Sequence, residues 1–136
     1  MIDVIEHVND PISILKEISK RLNDDGIGVI VTPDVSSFAA RLMGWKWWHY
    51  RLAHIIYFDI HTLDKLLKTA GLERIYTKYA SWYFSIAYLL QRLGEYIPFL
   101  SFVKIPKFIS GRIIKLHLFD SRMIDLKKIK TKRQQD

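Results

Sequence analysis

The run Gly28-Val29-Ile30-Val31-Thr32, closed by Pro33, constrains this chain more than any other feature. A short unbroken run of β-branched apolar residues fits a strand buried on both faces, and proline ends it because it cannot donate to a β-ladder. Such a strand needs cover, and the flanking sequence supplies helices. Upstream, Asp10-Pro11 is a helix start: Asp10 can accept from free amides, and Pro11 suits the first helical position. Ile14, Leu15, Ile18 and Leu22 follow at helical spacing, with Lys16, Glu17, Lys20 and Arg21 on the other side. Asn23-Asp24-Asp25-Gly26 stops this helix, since all three residue types tolerate left-handed backbone.

The spacing predicts a short helix over Ser36 to Met43 and a second amphipathic helix over Thr62 to Ala70. Leu63, Leu66, Leu67 and Ala70 of the latter face inward, and Gly71 is its stop. Gly44 to Asp59 is aromatic, His-rich and without period, so it reads as a loop with local helix. Leu72 to Tyr79 reads as a strand with Leu72, Ile75 and Tyr79 toward the core, and Ser81 to Tyr96 as a very apolar helix. Pro98 and Pro106 bracket an irregular segment. Arg112 to Phe119 reads as a strand that continues through Met123, Ile124 and Leu126, and Met1 to Val8 as the end of a buried strand entering a loop. Strands alternating with helices point to an α/β layered sheet.

Composition narrows the function classes. With 136 residues, 49% hydrophobic and 26% charged, the chain is of globular type and one-domain size. It has no cysteine, which excludes disulfides, thiolate zinc sites and cysteine nucleophiles and fits a reducing, cytoplasmic setting. The net charge of +7 is concentrated at Lys127, Lys128, Lys130, Lys132 and Arg133. Residues 127–136 therefore read as a solvated basic tail, with contact to nucleic acid or anionic lipid as the sharper alternative. No base-reading motif accompanies them, so nucleic acid is not expected as a partner. Asp3, Glu6 and His7 break any leader-like run, and the longest uncharged stretch, Tyr79 to Gln91, falls short of the roughly 18 residues a membrane span needs.

The string Val4-Ile5-Glu6-His7-Val8-Asn9-Asp10-Pro11 resembles the segment after the fourth strand of class I S-adenosylmethionine-dependent methyltransferases. The chain continues in register. Leu15 to Leu22 resembles the helix that follows, and Val29 to Pro33 the fifth strand, with Asp34 where the family has Asn. Arg41-Leu42-Met43-Gly44, Trp47-Trp48, His54, Phe58 and Ala70-Gly71-Leu72 are similar to a subgroup acting on small-molecule, sugar or lipid-linked acceptors. Leu116 to Leu126, with Asp120 and Met123, resembles the last strand more weakly. The resemblance implies a partial Rossmann-like sheet with helices, from the exit of the fourth strand to the seventh, lacking the N-terminal half. Residues 1–126 would be the C-terminal part of the domain, with an acceptor-side insertion at 35–61, an apolar helical insertion at 81–110 and the basic tail at 127–136. Met1 then reads as an internal methionine of a longer protein. In this family a glycine-rich turn and an acidic residue, both earlier in the chain, hold the donor. The six glycines here are scattered and form no Gly-x-Gly-x-Gly. The complete protein is thus expected to use S-adenosylmethionine, to methylate an acceptor oxygen, and to be inactive as this chain alone.

His7 is the candidate base, because an imidazole near pKa about 6.5 suits proton transfer at neutrality. The plainer alternative is a histidine bonded to loop backbone. Glu6 is the second catalytic candidate. In an extended segment the two neighbours point apart, so Glu6 orients the loop or contacts a substrate or metal, or simply caps. By the resemblance, His54, Trp47 and Trp48 belong to the roof over the acceptor; packing of an irregular loop is the competing reading. Trp45, His49 and Tyr50 share that aromatic cluster. His54, Asp59 and His61 match no metal-ligand spacing, and no metal is assigned. A rival function remains: a basic, apolar interaction module docking on a membrane surface or protein partner through residues 82–107 and the tail. The first reading, too, allows peripheral membrane contact there.

Overall fold

The computed structural model describes residues 1–97 and 106–130, which form two compact units. The first is built from Met1–Ala80 and the described residues from Phe119 on; the second spans Ser81–Leu118. In the first, Ile5–His7 form a 3-10 turn and Pro11–Arg21 form helix α1, which opens on Asp10 accepting from Ser13 N at 3.0 Å. Strand β1 (Gly28–Pro33), helix α2 (Phe38–Met43), helix α3 (Ile60–Thr69) and strand β2 (Leu72–Tyr79) follow. The second unit holds β3 (Trp82–Ser85), α4 (Ile86–Tyr96), α5 (Lys107–Ser110) and β4 (Ile113–Leu116). Strand β5 (Ser121–Lys128) returns to the first unit.

The main sheet has the order β1-β5-β2, with β5 antiparallel to both neighbours. On the other edge of β1, Ile2 bridges Val31 in parallel: Asp3 N donates to Val31 O and Val31 N to Met1 O, each at 3.0 Å. The core lies where Ile30, Leu72, Ile124 and Leu126 of the sheet meet Leu15 of α1 and Leu63 and Leu67 of α3, with Ile5 and Phe58 added from the loops. Burying each such side chain contributes about 1.5–3 kcal/mol. Gly28 suits this packing: a Cβ there would stand 2.7 Å from Leu126 Cδ1, so the buried Leu126 side chain would have to shift to admit it. Gly44 (φ 54) and Gly71 (φ 74) take backbone that side-chain-bearing residues rarely adopt, and Gly71 stops α3 as its sequence position indicated.

Several expectations change. The opening residues do not form a buried strand; Ile2 is exposed, and the Glu-His segment winds into a 3-10 turn. Asn23 to Gly26 stop α1 without left-handed backbone: Gly26 N donates to Asn23 O at 2.9 Å, and a Cβ at Gly26 would crowd that carbonyl. Helix α3 starts at Ile60, two residues early, because Asp59 accepts from Thr62 N at 2.7 Å. Ile75 is 43% exposed, since the register shifts between Arg74 and Tyr76 and flips the alternation. The helix expected from Ser81 begins only at Ile86. The aromatic run Trp82-Tyr83-Phe84 favours a strand, and Ser85 accepts from Tyr88 N to open the helix behind it. The single strand expected from Arg112 is two: β4 pairs with β3, and β5 enters the main sheet after Phe119 turns the backbone at φ 52.

The expected basic tail begins inside β5. Lys127 pairs with Glu73 at 3.3 Å and Lys128 with Asp24 at 3.4 Å; residues 131–136 and the bracketed segment 98–105 lie outside the described residues. Among the described residues no helix is long and apolar enough to cross a membrane.

Candidate functional site

The 3-10 turn decides where Glu6 and His7 point. Glu6 is 1% exposed, and its Oε2 accepts from the Thr32 hydroxyl on β1 at 2.9 Å. Its Oε1 is buried with no hydrogen-bond partner among the described residues. His7 lies with Nδ1 2.7 Å from the Ala53 carbonyl. A carbonyl only accepts, so Nδ1 carries a proton, and Nε2 is the ring atom left to exchange a proton or offer a lone pair. That atom stands 4.0 Å from Glu6 Oε1. The two side chains expected to point apart therefore converge, because three residues per turn replaces two.

His54 closes the group from above. The Glu6 carbonyl accepts from both Ile55 N (3.0 Å) and Ile56 N (3.2 Å), which clamps residues 54–56 over the turn. The His54 ring meets His7 edge-on at 4.6 Å between centroids and stacks on His49 at 5.7 Å. Its Nδ1 is the second buried atom here without a hydrogen-bond partner among the described residues. Burial holds the His54 pKa below the usual imidazole value, with the nearby His7 adding to the effect. Asp3, at φ 49 beside the same turn, is pushed the other way: burial first, then the Glu6 charge, raise its carboxyl.

The aromatic loop has a different anchor. Asp120, buried at the head of β5, accepts from Trp48 Nε1 at 2.7 Å and lies 3.0 Å from His49 Nε2. Trp47 is buried, with its ring edge-on to His49 and Tyr50. Trp45 is exposed under the Lys46 ammonium. Next to Asp120, the buried Asp34 accepts from Arg122 Nε at 2.7 Å and turns Ser36 N inward at 2.8 Å. Of the residues singled out in the sequence, Glu6, His7 and His54 come together, while Trp47 and Trp48 form the loop wall next to them through His49. Asp59 and His61 do not join the cluster: Asp59 caps α3 and His61 is exposed. Sequence reasoning missed the roles of His49, Arg122 and Asp120. A lone aspartate has no local pattern, and only its pairing across the fold shows what it holds.

Residues 1–77 match the family model of a methyltransferase domain. The chain belongs to this methyltransferase domain family. No curated protein matches it. Among solved structures, it is similar to an S-adenosylmethionine-dependent methyltransferase of Thermotoga maritima, a candidate histamine N-methyltransferase, with 18% identity and a TM-score of 0.51 over 96% of this chain. It is likewise similar to a protein of Bacillus halodurans assigned as a methyltransferase, with 16% identity and a TM-score of 0.51 over 96% of this chain. Likeness at this identity speaks for the fold. The methyltransferase domain chain covers 54% of the length of the first and 68% of the second.

The described residues do not fit a donor cradle. Gly26 and Gly28 form the chain's one Gly-x-Gly, but both are filled against Asn23, Leu22 and Leu126 and approach no open ligand space. Gly71 faces Ser19, and Gly44 belongs to the aromatic loop.

Proposed function

We propose that this chain is the acceptor-side part of a class I methyltransferase that takes its methyl group from S-adenosylmethionine held by a preceding segment. In this reading the main sheet is part of a Rossmann-like sheet: residues 1–3 leave its fourth strand, and β1, β2 and β5 are its fifth, sixth and seventh. The exposed apolar side chains of Ile2 and Val4, beside the free edge next to β1, suit cover by further strands. The observation that carries the functional reading is the convergence of Glu6, His7 and His54 beyond the end of that edge. Open α/β sheets gather ligands at the carboxyl ends of their strands.

Transfer to an oxygen needs that oxygen fixed in place and relieved of its proton. His7 Nε2 is the proton acceptor, with its tautomer set by Ala53. Glu6 stabilises the protonated ring, and Thr32 holds Glu6. His54, Trp48 and Trp47 shape the wall of a pocket for a small or lipid-linked acceptor. In the second unit, exposed Tyr83, Leu93, Ile97 and Ile113 favour an added peripheral contact with a membrane surface.

Calorimetry tests the division of labour. The 136-residue chain is expected to show no donor binding, and a polypeptide extended by the strands encoded upstream is expected to bind one equivalent. Stoichiometric binding by the short chain, or none by the extended one, overturns the proposal.

A further inference from the structure

We propose that Glu6, His7 and His54 bind a divalent first-row transition cation, with Zn²⁺ or Co²⁺ as the fitting ions. The three residues offer one ligand atom each, and these atoms all lie within 4.8 Å of one another. Two features separate this group from an ordinary polar cluster. Glu6 Oε1 and His54 Nδ1 are both buried and lack a hydrogen-bond partner among the described residues. A buried polar atom left unsatisfied costs about 1–3 kcal/mol, so two at one spot call for an occupant that accepts lone pairs. With the His54 proton on Nε2, three lone pairs meet here, at Glu6 Oε1, His54 Nδ1 and His7 Nε2; a water can donate to only two of them, whereas a cation accepts all three.

The surroundings are those of a ligand set. His7 has its other nitrogen on the Ala53 carbonyl, and Glu6 has its other oxygen on the Thr32 hydroxyl. Bonds of this kind orient metal-binding side chains and fix the histidine tautomer. Two imidazoles and one carboxylate suit zinc and its neighbours, whereas magnesium and calcium prefer all-oxygen shells. Ligand atoms about 2.1 Å from one ion stand at most about 4.2 Å apart, so the widest separation closes by side-chain rotation. Three protein ligands leave open positions, and a hydroxyl oxygen entering one is acidified as metal-bound water is. Where the ion is bound, His7 is a ligand, and the ion takes over the task of making the acceptor nucleophilic. That role rests on the methyl-transfer reading; the binding site does not.

The test is titration of the metal-stripped 136-residue chain with Co²⁺, read by visible d–d absorption, and displacement by Zn²⁺. One saturable equivalent is expected. His7→Ala, Glu6→Gln and His54→Ala should each weaken it by at least about ten-fold, with Thr32→Val weakening it less. His61→Ala, at an exposed histidine on α3, should leave it unchanged. His7 is itself exposed, so its variant keeps the fold, and far-UV circular dichroism verifies this. No saturable binding, unchanged affinity in His7→Ala, or an equal loss in His61→Ala overturns the site. Loss of donor binding by the extended polypeptide would sink the methyl-transfer reading and leave the Co²⁺ result standing.

Discussion

Two buried carboxylates in the first unit, Asp120 and Glu6, meet opposite fates. Asp120 takes Trp48 on Oδ2, lies within reach of His49, and has the Ser121 hydroxyl at Oδ1. Among the described residues, Glu6 takes a hydrogen bond only from Thr32, on one oxygen. Both are about 1% exposed, so burial does not distinguish them. The difference lies in satisfaction. A fully partnered carboxylate fixes structure, here tying the aromatic loop to the head of β5. A half-partnered one keeps a lone pair in reserve for something that arrives.

Substitution separates the two. Asp120→Ala should cost about 2 kcal/mol of stability, because it strands two half-buried ring donors, Trp48 Nε1 and His49 Nε2. Urea unfolding monitored by tryptophan fluorescence measures it, and a loss no greater than that of Glu6→Gln would erase the distinction. Glu6→Gln should cost about 1 kcal/mol or less, since the amide oxygen still accepts from Thr32 and its NH₂ can donate to a nearby lone pair. The same unfolding experiment checks this. A larger loss would make Glu6 a structural residue like Asp120.

The smallest effect concerns a carboxylate of the ordinary, surface kind. Asp64 is held below the usual carboxylate range by its paired hydrogen bonds from Arg74, at 2.8 and 2.7 Å, with the Arg74 charge adding to them. A lowered folded-state pKa gives stability that is present above the unfolded value of about 3.9 and is lost as pH falls through the folded value. Asp64→Asn should therefore flatten slightly the decline in unfolding midpoint between pH 6 and pH 3. Partial exposure and salt screening keep this effect to a fraction of the two above.

Much of this was legible in the residues. Helices α1 and α3 announce themselves by apolar spacing, by Asp10-Pro11 and by Gly71, all of which act within a few residues. Strand β1 declares itself by β-branching. The Glu-His string and the tryptophan loop carried the family resemblance. What stayed hidden is what depends on distant partners. The bulge that turns Ile75 outward exists only because β2 must register against β5. The strand Trp82–Ser85 competes with an equally apolar helix and wins by pairing with β4. The convergence of Glu6, His7 and His54 needs both the tight turn and the clamp of Ile55 and Ile56 on the Glu6 carbonyl, two contacts almost fifty residues apart in sequence.

Strand β5 sits between β1 and β2, yet it is synthesised after both. During translation, β1 and β2 must wait with open edges until residues 121–128 have left the ribosome. Late, long-range closure of this kind is slow and exposes sticky edges to neighbouring nascent chains. The growing polypeptide would depend on chaperones over that interval, and a ribosome stalled before Met123 would release a product that cannot assemble its sheet.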